Sequence, residues 1–353
     1  MRIDLESLEG ATFGARMRAA ASVSPHDLVA ALESRPNQLL ELLDQARGLL
    51  VLPAMDAVRE SPDLLVRLSH LCGSEVENYR KTLTTPNMVH PDIPEILVLS
   101  NQPPSLRMPP ARPSPALTET GGLPVQFPHR RGWHTDQSFR RPPPDISLFL
   151  AVTPCPKGQG HTLFADGAAA YEALEPGLRA QIDKLDGLHA LLATGRSEDS
   201  VRNGVEPKPL MPHQRSQRQP VARVHPTSGR RAIFLCEAGQ MDWLDGPFVG
   251  MPPGPEGTGA KLLYELMSHT TSPDFVYAHD WDAGDLLIYD NRCLLHAATW
   301  YDAEQHTRIM WRTTESGNPG LEYDGEARSW VPDEGVKPMQ GLEDLSGQAD
   351  VPD

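Results

Sequence analysis

Apolar residues recur along the chain at two spacings, and the changes between them mark the elements. Within residues 25–72, SPHDLVAALES and NQLLELLDQARGLLVL return leucine, valine or alanine every three to four positions. That is the period of a helix with one buried face, and the second run closes on a short apolar strand. These helices are expected to pack outside a sheet. EILVLS (95–100) and ISLFLAV (146–152) are short apolar runs with proline at their borders, as buried strands are. Between them, residues 101–132 are rich in Pro, Arg and Gly and predict a loop. After TLFA (162–165), Asp166 stands where an N-cap belongs, and AAAYEALEPGLRAQIDKL predicts the clearest helix of the chain. RAIFLCE (231–237), DLLIYD (285–290) and TRIMWRTT (307–314) predict strands, and TGAKLLYELMSHTT a helix. The polar stretch 194–222, with His213, Gln214 and Arg215 at its centre, predicts a long surface loop or lid.

Composition sharpens this picture. Thirty-five prolines and 28 glycines favour many short strands and long loops over a helical bundle, and 39% apolar residues supply a core. One large β-rich domain, residues 1–317, accommodates most of the 353 residues, and the acidic, Pro- and Gly-rich stretch 318–353 reads as a loosely held tail. The net charge of −15, from 32 basic and 47 acidic residues, argues against nucleic acid or anionic membrane as partner. Cys72, Cys155, Cys236 and Cys293 lie far apart without a CxxC pair, so neither a zinc knuckle nor a disulfide framework is expected. No apolar run reaches the roughly 18 residues of a membrane span, and the N-terminus lacks a signal-peptide core. A cytoplasmic protein is expected.

The candidate chemistry centres on GWHTDQSF. His134 and Asp136 lie two apart, so on an extended strand both side chains project to one face. His296, at the end of WDAGDLLIYDNRCLLH and 160 residues beyond Asp136, can deliver a third ligand from across a barrel. Two histidines and a carboxylate on a β-scaffold are the ligand set of the facial-triad Fe(II) oxygenases. A bare HxD is weak by itself, because thirteen histidines make chance pairs easy. HTRIMWR adds weight: Arg308 and Arg312 share a strand face, and an inward-facing guanidinium must meet an anion. A structural ion pair would serve equally well if the rest of the pattern were absent.

Several blocks in order carry a further signal. WHTD with a downstream PP, GHTLFADGAAAYEAL, VHPTSGRRAIFLCE, WDAGDLLIYDNRCLLHAA and RIMWRTT resemble the signature segments of the taurine dioxygenase family, which includes the 2,4-dichlorophenoxyacetate dioxygenases. The likeness spans roughly residues 85–317, and GATFGARM is similar to that family's opening segment. The resemblance implies a mainly β fold with flanking helices, a double-stranded β-helix or jelly roll. It makes His134, Asp136 and His296 the ligands of Fe(II), and Arg308 with Thr162 the holders of the far carboxylate of 2-oxoglutarate. It makes Arg312 the grip on an anionic substrate, with Arg130 in the place of a polar substrate-facing residue. That departure, with Gln137 after the aspartate, argues against taurine itself.

The reaction implied consumes 2-oxoglutarate and O₂, releases succinate and CO₂, and hydroxylates a small substrate, with C–heteroatom cleavage or desaturation as further outcomes. Arg312, aided by Arg130, Arg131, Arg140 or Arg141, predicts a carboxylate, sulfonate, sulfate or phosphonate on that substrate. Trp133, Phe139 and Trp311 read as packing around the barrel mouth. A homo-oligomer is compatible with the resemblance. Two rivals stay open: a metal-dependent β-barrel hydrolase or isomerase using the same His/Asp/His site, which leaves Arg308 without a role, and an inert jelly-roll binding protein.

Overall fold

A computed structural model of the protein describes residues 2–19, 23–73, 75–82, 84–211, 214–237 and 240–317. The tail expected at 318–353 and His213 lie outside the described residues. Fourteen strands are seen among them: β1 (Asp4–Ser7), β2 (Ala15–Arg18), β3 (Leu49–Leu52), β4 (Leu97–Ser100), β5 (Ile146–Thr153), β6 (Thr162–Asp166), β7 (Asp186–His189), β8 (Gln217–Pro220), β9 (Ala222–Val224), β10 (Arg231–Ile233), β11 (Val276–His279), β12 (Leu286–Asp290), β13 (Leu294–Ala298) and β14 (Ile309–Thr314). Seven form one sheet in the order β1-β2-β3-β12-β5-β14-β4, and β11-β6-β13 form a second. Two short ribbons, β7-β8 and β10-β9, complete the strands.

The period-two alternation of the strands explains how the sheets stack. Leu50, Leu148, Leu150, Leu286 and Ile288 point outward from the large sheet into a core shared with the helices α1 (Pro25–Glu33), α2 (Gln38–Gln45) and α3 (Asp63–His70). The alternate residues Leu49, Val51, Phe149, Leu287 and Met310 point inward and meet Phe164 and Leu294 of the small sheet. Leu163, Ala165, Leu295 and Ala297 face away from that interior, into a third core. Each fully buried leucine or isoleucine contributes about 1.5–3 kcal/mol, so two-sided burial makes β12 and β5 the spine of the molecule. The result is the expected jelly roll, mainly β with helices outside.

Local signals place the helices. Ser24 caps α1 by accepting from the Asp27 N–H at 3.2 Å, with Pro25 in the first turn. Asp166 ends β6 and caps α4 (Gly167–Glu172), its Oδ1 accepting from the N–H groups of Ala168 and Ala169. The single helix expected after Asp166 is instead two, because Pro176 restricts Glu175 to an extended conformation and restarts the helix as α5 (Pro176–Ile182). RAIFLCE forms a ladder only over β10, after which Phe234 donates its N–H to Val221 O. Residues 194–222 are not a bare loop: they hold α6 (Glu198–Arg202) and β8, and Gln219 Nε2 donates to the carbonyls of Ser138 and Arg140. The helix predicted by TGAKLLYELMSHTT is α7 (Thr258–Thr270). Among the described residues no helix is long and apolar enough to cross a membrane.

Candidate active site

β13 carries His296 on the face that looks between the sheets, one step along from inward-facing Leu294. The segment before the iron motif joins it by a single antiparallel rung. His134 N–H donates to His296 O at 2.9 Å, and His296 N–H to His134 O at 2.7 Å, which sets the imidazole centroids 4.2 Å apart. The extended strand expected through Asp136 is therefore one residue wide: the chain turns at once, Gln137 taking φ +46°. The turn still aims the carboxylate at the histidines, with Asp136 Oδ1 3.7 Å from His296 Nε2. One donor atom from each of the three lies within 4.8 Å of the others.

The surroundings fit a divalent metal. His134 Nδ1 is 2.8 Å from Gly132 O, which orients the ring and leaves Nε2 as the donor. Burial holds both imidazoles below their ordinary pKa against the pull of Asp136, His296 at about 3, so each presents a lone pair. Burial alone would raise the Asp136 carboxyl, but Arg312 and the two histidines overcome it and keep the group ionised well below the usual carboxylate range. Asp136 Oδ2 accepts from Tyr289 OH at 2.8 Å and Ser147 Oγ at 2.9 Å, while Arg312 donates to Oδ1 at 2.5 Å. Asn291 accepts the Asp136 N–H at 3.2 Å and donates to Ser147 at 3.0 Å. Behind His134, buried Glu237 accepts the Gly132 N–H, and burial pushes its carboxyl up to about 7.

These groups open on a cavity of about 270 Å³ between the sheets. His134, His296, Arg308 and Arg312 all line it, and so does Thr162, which the resemblance implied. Thr162 Oγ1 accepts from Trp281 Nε1 at 3.2 Å, so its own O–H is free to donate. Arg308 reaches Gly160 O at 3.4 Å, its Nε has no hydrogen-bond partner, and the Phe149 and Tyr301 rings flank it at 5.9 Å. Burial depresses its pKa, and among the described residues no carboxylate is paired with it. Such a cation is stabilised by an anion arriving in the cavity.

Arg130 departs from expectation. It is buried with its Nε donating to Pro124 O at 3.0 Å, and it does not line the cavity. Arg131 and Arg140 are engaged too, with Glu198 at 3.0 Å and Glu77 at 2.8 Å. Trp133 is fully buried and donates to Val125 O, and Trp311 packs against the outer core with His90 edge-on, so both are packing residues. Sequence reasoning missed Tyr289, Ser147 and Asn291. The signal was available for the first two, since Tyr289 alternates with Ile288 on β12 and Ser147 with Leu148 on β5. It also missed Arg107, which lines the cavity from the 101–132 loop, where no period points a side chain.

The model of the family described as Taurine catabolism dioxygenase TauD, TfdA family matches residues 5–314. The alpha-ketoglutarate-dependent 2,4-dichlorophenoxyacetate dioxygenase of Cupriavidus pinatubonensis is 33% identical over 189 residues, 52% of this chain and 59% of that protein. The chain thus spans about three fifths of that relative's length. The alpha-ketoglutarate-dependent sulfate ester dioxygenase of Pseudomonas putida is 28% identical over 300 residues, 80% of this chain and 89% of that protein. Among solved structures, a taurine dioxygenase from Burkholderia xenovorans has TM-score 0.59 and 23% identity, covering 90% of this chain and 91% of its own. AAD-2 in complex with Mn(II) and N-oxalylglycine has TM-score 0.60 and 24% identity, covering 90% and 98%. Both share the jelly roll seen here. A match running from the first strand to the last, with both histidines, the aspartate and both arginines of the expected pattern facing one cavity or its wall, places this chain in the TauD, TfdA family of dioxygenases.

Proposed function

We propose that residues 1–317 form one catalytic domain, an Fe(II)- and 2-oxoglutarate-dependent dioxygenase that hydroxylates a small anionic organic substrate. The observation that carries this reading is the meeting, at one cavity and its wall, of a His/His/Asp donor set and a buried arginine that has no carboxylate partner among the described residues. The names of the relatives support it, two of them being alpha-ketoglutarate-dependent dioxygenases of a phenoxyacetate and a sulfate ester. N-oxalylglycine in a solved neighbour supports the same cosubstrate, as it has the chain length and two carboxylates of 2-oxoglutarate. A cytoplasmic location is part of the proposal, supported by four free cysteines.

His134, His296 and Asp136 would hold the metal, which supplies the activation of O₂ and of the 2-oxoglutarate keto acid that the side chains cannot. Arg308 binds the far carboxylate of the cosubstrate, and the Thr162 hydroxyl donates a second hydrogen bond to it. Arg312 keeps Asp136 ionised and ordered and also lines the cavity, where it orients the anionic end of the substrate. Leu99, Phe149 and Ala298 keep water from the carbon to be oxidised. Balanced, substrate, 2-oxoglutarate and O₂ give hydroxylated substrate, succinate and CO₂. A hydrolase on the same metal ligands gives Arg308 nothing to bind.

The test is an anaerobic titration of the apoprotein with Fe(II) and 2-oxoglutarate, followed by the weak visible charge-transfer band of the chelate. The band is expected in the wild type and absent in His134→Ala. No band, with no 2-oxoglutarate binding by calorimetry, would sink the proposal.

A further inference from the structure

We infer that Arg107 is a second substrate anchor, converging with Arg312 on one headgroup, and that this headgroup carries two negative charges on tetrahedrally disposed oxygens, as in a phosphomonoester or phosphonate. The inference rests on the oxygenase reading above and deepens it.

Among the described residues three guanidiniums line the cavity, those of Arg107, Arg308 and Arg312, and no carboxylate does; Asp136 stands just behind the wall. Arg308 has a role in cosubstrate binding, and Arg312 is paired with Asp136. Arg107 alone of the three makes no side-chain hydrogen bond or ion pair with a described residue, although its backbone is fixed. Its N–H donates to Ser100 O at 2.7 Å, at the end of β4, and Ser105 in the same turn donates to Val98 O at 3.1 Å. β4 is the neighbour of β14, the strand that carries Arg312, and Arg308 N–H donates to Asn101 Oδ1 at 2.9 Å. The loop therefore holds Arg107 against the arginine strand, and the fold spends a pinned turn on placing a cation there. The residue keeps much of its surface in solvent at the mouth while its guanidinium lies in the wall, where burial and then the Arg312 charge depress its pKa.

Charge balance then selects the ligand. Three guanidiniums and a divalent metal, set against Asp136 and the two carboxylates of 2-oxoglutarate, leave two positive charges. A monoanionic substrate neutralises one. A headgroup with two charges neutralises both, and a tetrahedral one presents separate oxygens to two forks approaching from different strands. Leu99, Met108, Pro109, Pro110, Phe149 and Ala298 supply an apolar wall for a small hydrocarbon body behind that headgroup.

The experiment compares two esters of one shape, butyl phosphate and butyl sulfate, at pH 8, where the phosphate is a dianion because its second pKa is about 6 and the sulfate keeps one charge. Binding is measured by calorimetry to the full chain loaded with Mn(II) and 2-oxoglutarate, so turnover plays no part. Wild type is expected to bind the phosphate about tenfold or more tighter than the sulfate. Arg107→Ala is expected to weaken phosphate binding far more than sulfate binding and so remove most of that preference, while leaving 2-oxoglutarate affinity and the melting temperature in place, and Arg107→Lys to restore part of it. Equal affinity for the two esters in wild type, a preference that survives Arg107→Ala, or binding of neither ester beside intact 2-oxoglutarate binding overturns the inference. Failure of wild type to bind 2-oxoglutarate is seen before either ester is added, and overturns the oxygenase reading instead.

Discussion

Among the described residues stand two constellations of metal-ligand type, and they have opposite fates. His134, Asp136 and His296 form one, and His225, Asp290 and Cys293 the other, each with donor atoms within 4.8 Å of one another. Proximity does not separate them; saturation does. Asp290 accepts from Arg292 Nε at 2.8 Å, from Arg292 Nη2 at 2.6 Å and from His225 Nε2 at 2.9 Å. His225 Nδ1 accepts the Ser228 N–H, and burial raises the Cys293 thiol far above its ordinary value, so it stays protonated and a poor ligand. Every lone pair a metal needs is taken. At the first constellation His134 and His296 line a cavity, and the Asp136 carboxylate just behind its wall accepts from Arg312, Tyr289 and Ser147. A site is recognised by what its donors lack as much as by which donors it has.

That comparison is broken most sharply by removing one histidine from each constellation. His296→Ala is expected to abolish stoichiometric iron binding and lower succinate formation by about three orders of magnitude. His225→Ala is expected to keep one iron per chain and its turnover, while losing about 2 kcal/mol in urea unfolding because a hydrogen bond to a buried charge is gone. Two metals per chain in the wild type, or iron lost from His225→Ala, would show the second constellation to be a site after all. A smaller effect tests the cavity side. Arg308→Ala is expected to raise KM for 2-oxoglutarate about a hundredfold, with Arg308→Lys intermediate because an ammonium cannot make the paired contact. Smaller again is Thr162→Val, which removes one neutral donor and is expected to raise that KM about fivefold in steady-state assays.

The same contrast explains what the sequence could and could not disclose. Arg308 and Arg312 were legible because strands have a period of two, so a residue's face follows from its neighbours, whereas Thr162 was legible only through the resemblance of its block to the family. His134 and Asp136 reached one site although the strand assumed for them has a single rung; the spacing held and its supposed reason did not. Arg130 and Arg107 were not legible. Both lie in the Pro-rich stretch between β4 and the iron motif, where turns and prolines decide each direction separately, and the structure sends Arg130 into the protein and Arg107 into the cavity. The break between α4 and α5 was written in Glu-Pro and overridden by the apolar periodicity around it. The His225 cluster joins a segment before β10 to the end of β12, and no local pattern reports such a meeting.

The finest form of the comparison concerns a carboxyl that supports the metal constellation from behind. Glu237 accepts the Gly132 N–H, Gly132 O accepts from His134 Nδ1, and Arg131 stands 3.6 Å from the other Glu237 oxygen. Burial, opposed by these partners, moves the Glu237 pKa from 4.5 to about 7 in the folded chain. Between those values the folded protein holds a proton that the unfolded chain has released. Stability from this group is therefore complete below about pH 4.5 and falls as pH rises toward 7. Glu237→Gln cannot titrate but still offers an oxygen to Gly132, so the difference in Tm between variant and wild type should move in the variant's favour as pH rises from 4.5 to 7. The size expected is on the order of 1 kcal/mol, since Arg131 is partly exposed and screens the charged form. Thermal unfolding across that range measures it. A Tm difference independent of pH would mean that Glu237 is ionised throughout, with Arg131 winning over burial. The support behind His134 would then be an ion pair of the kind that saturates Asp290, and the two constellations would differ only in that the first opens on the cavity.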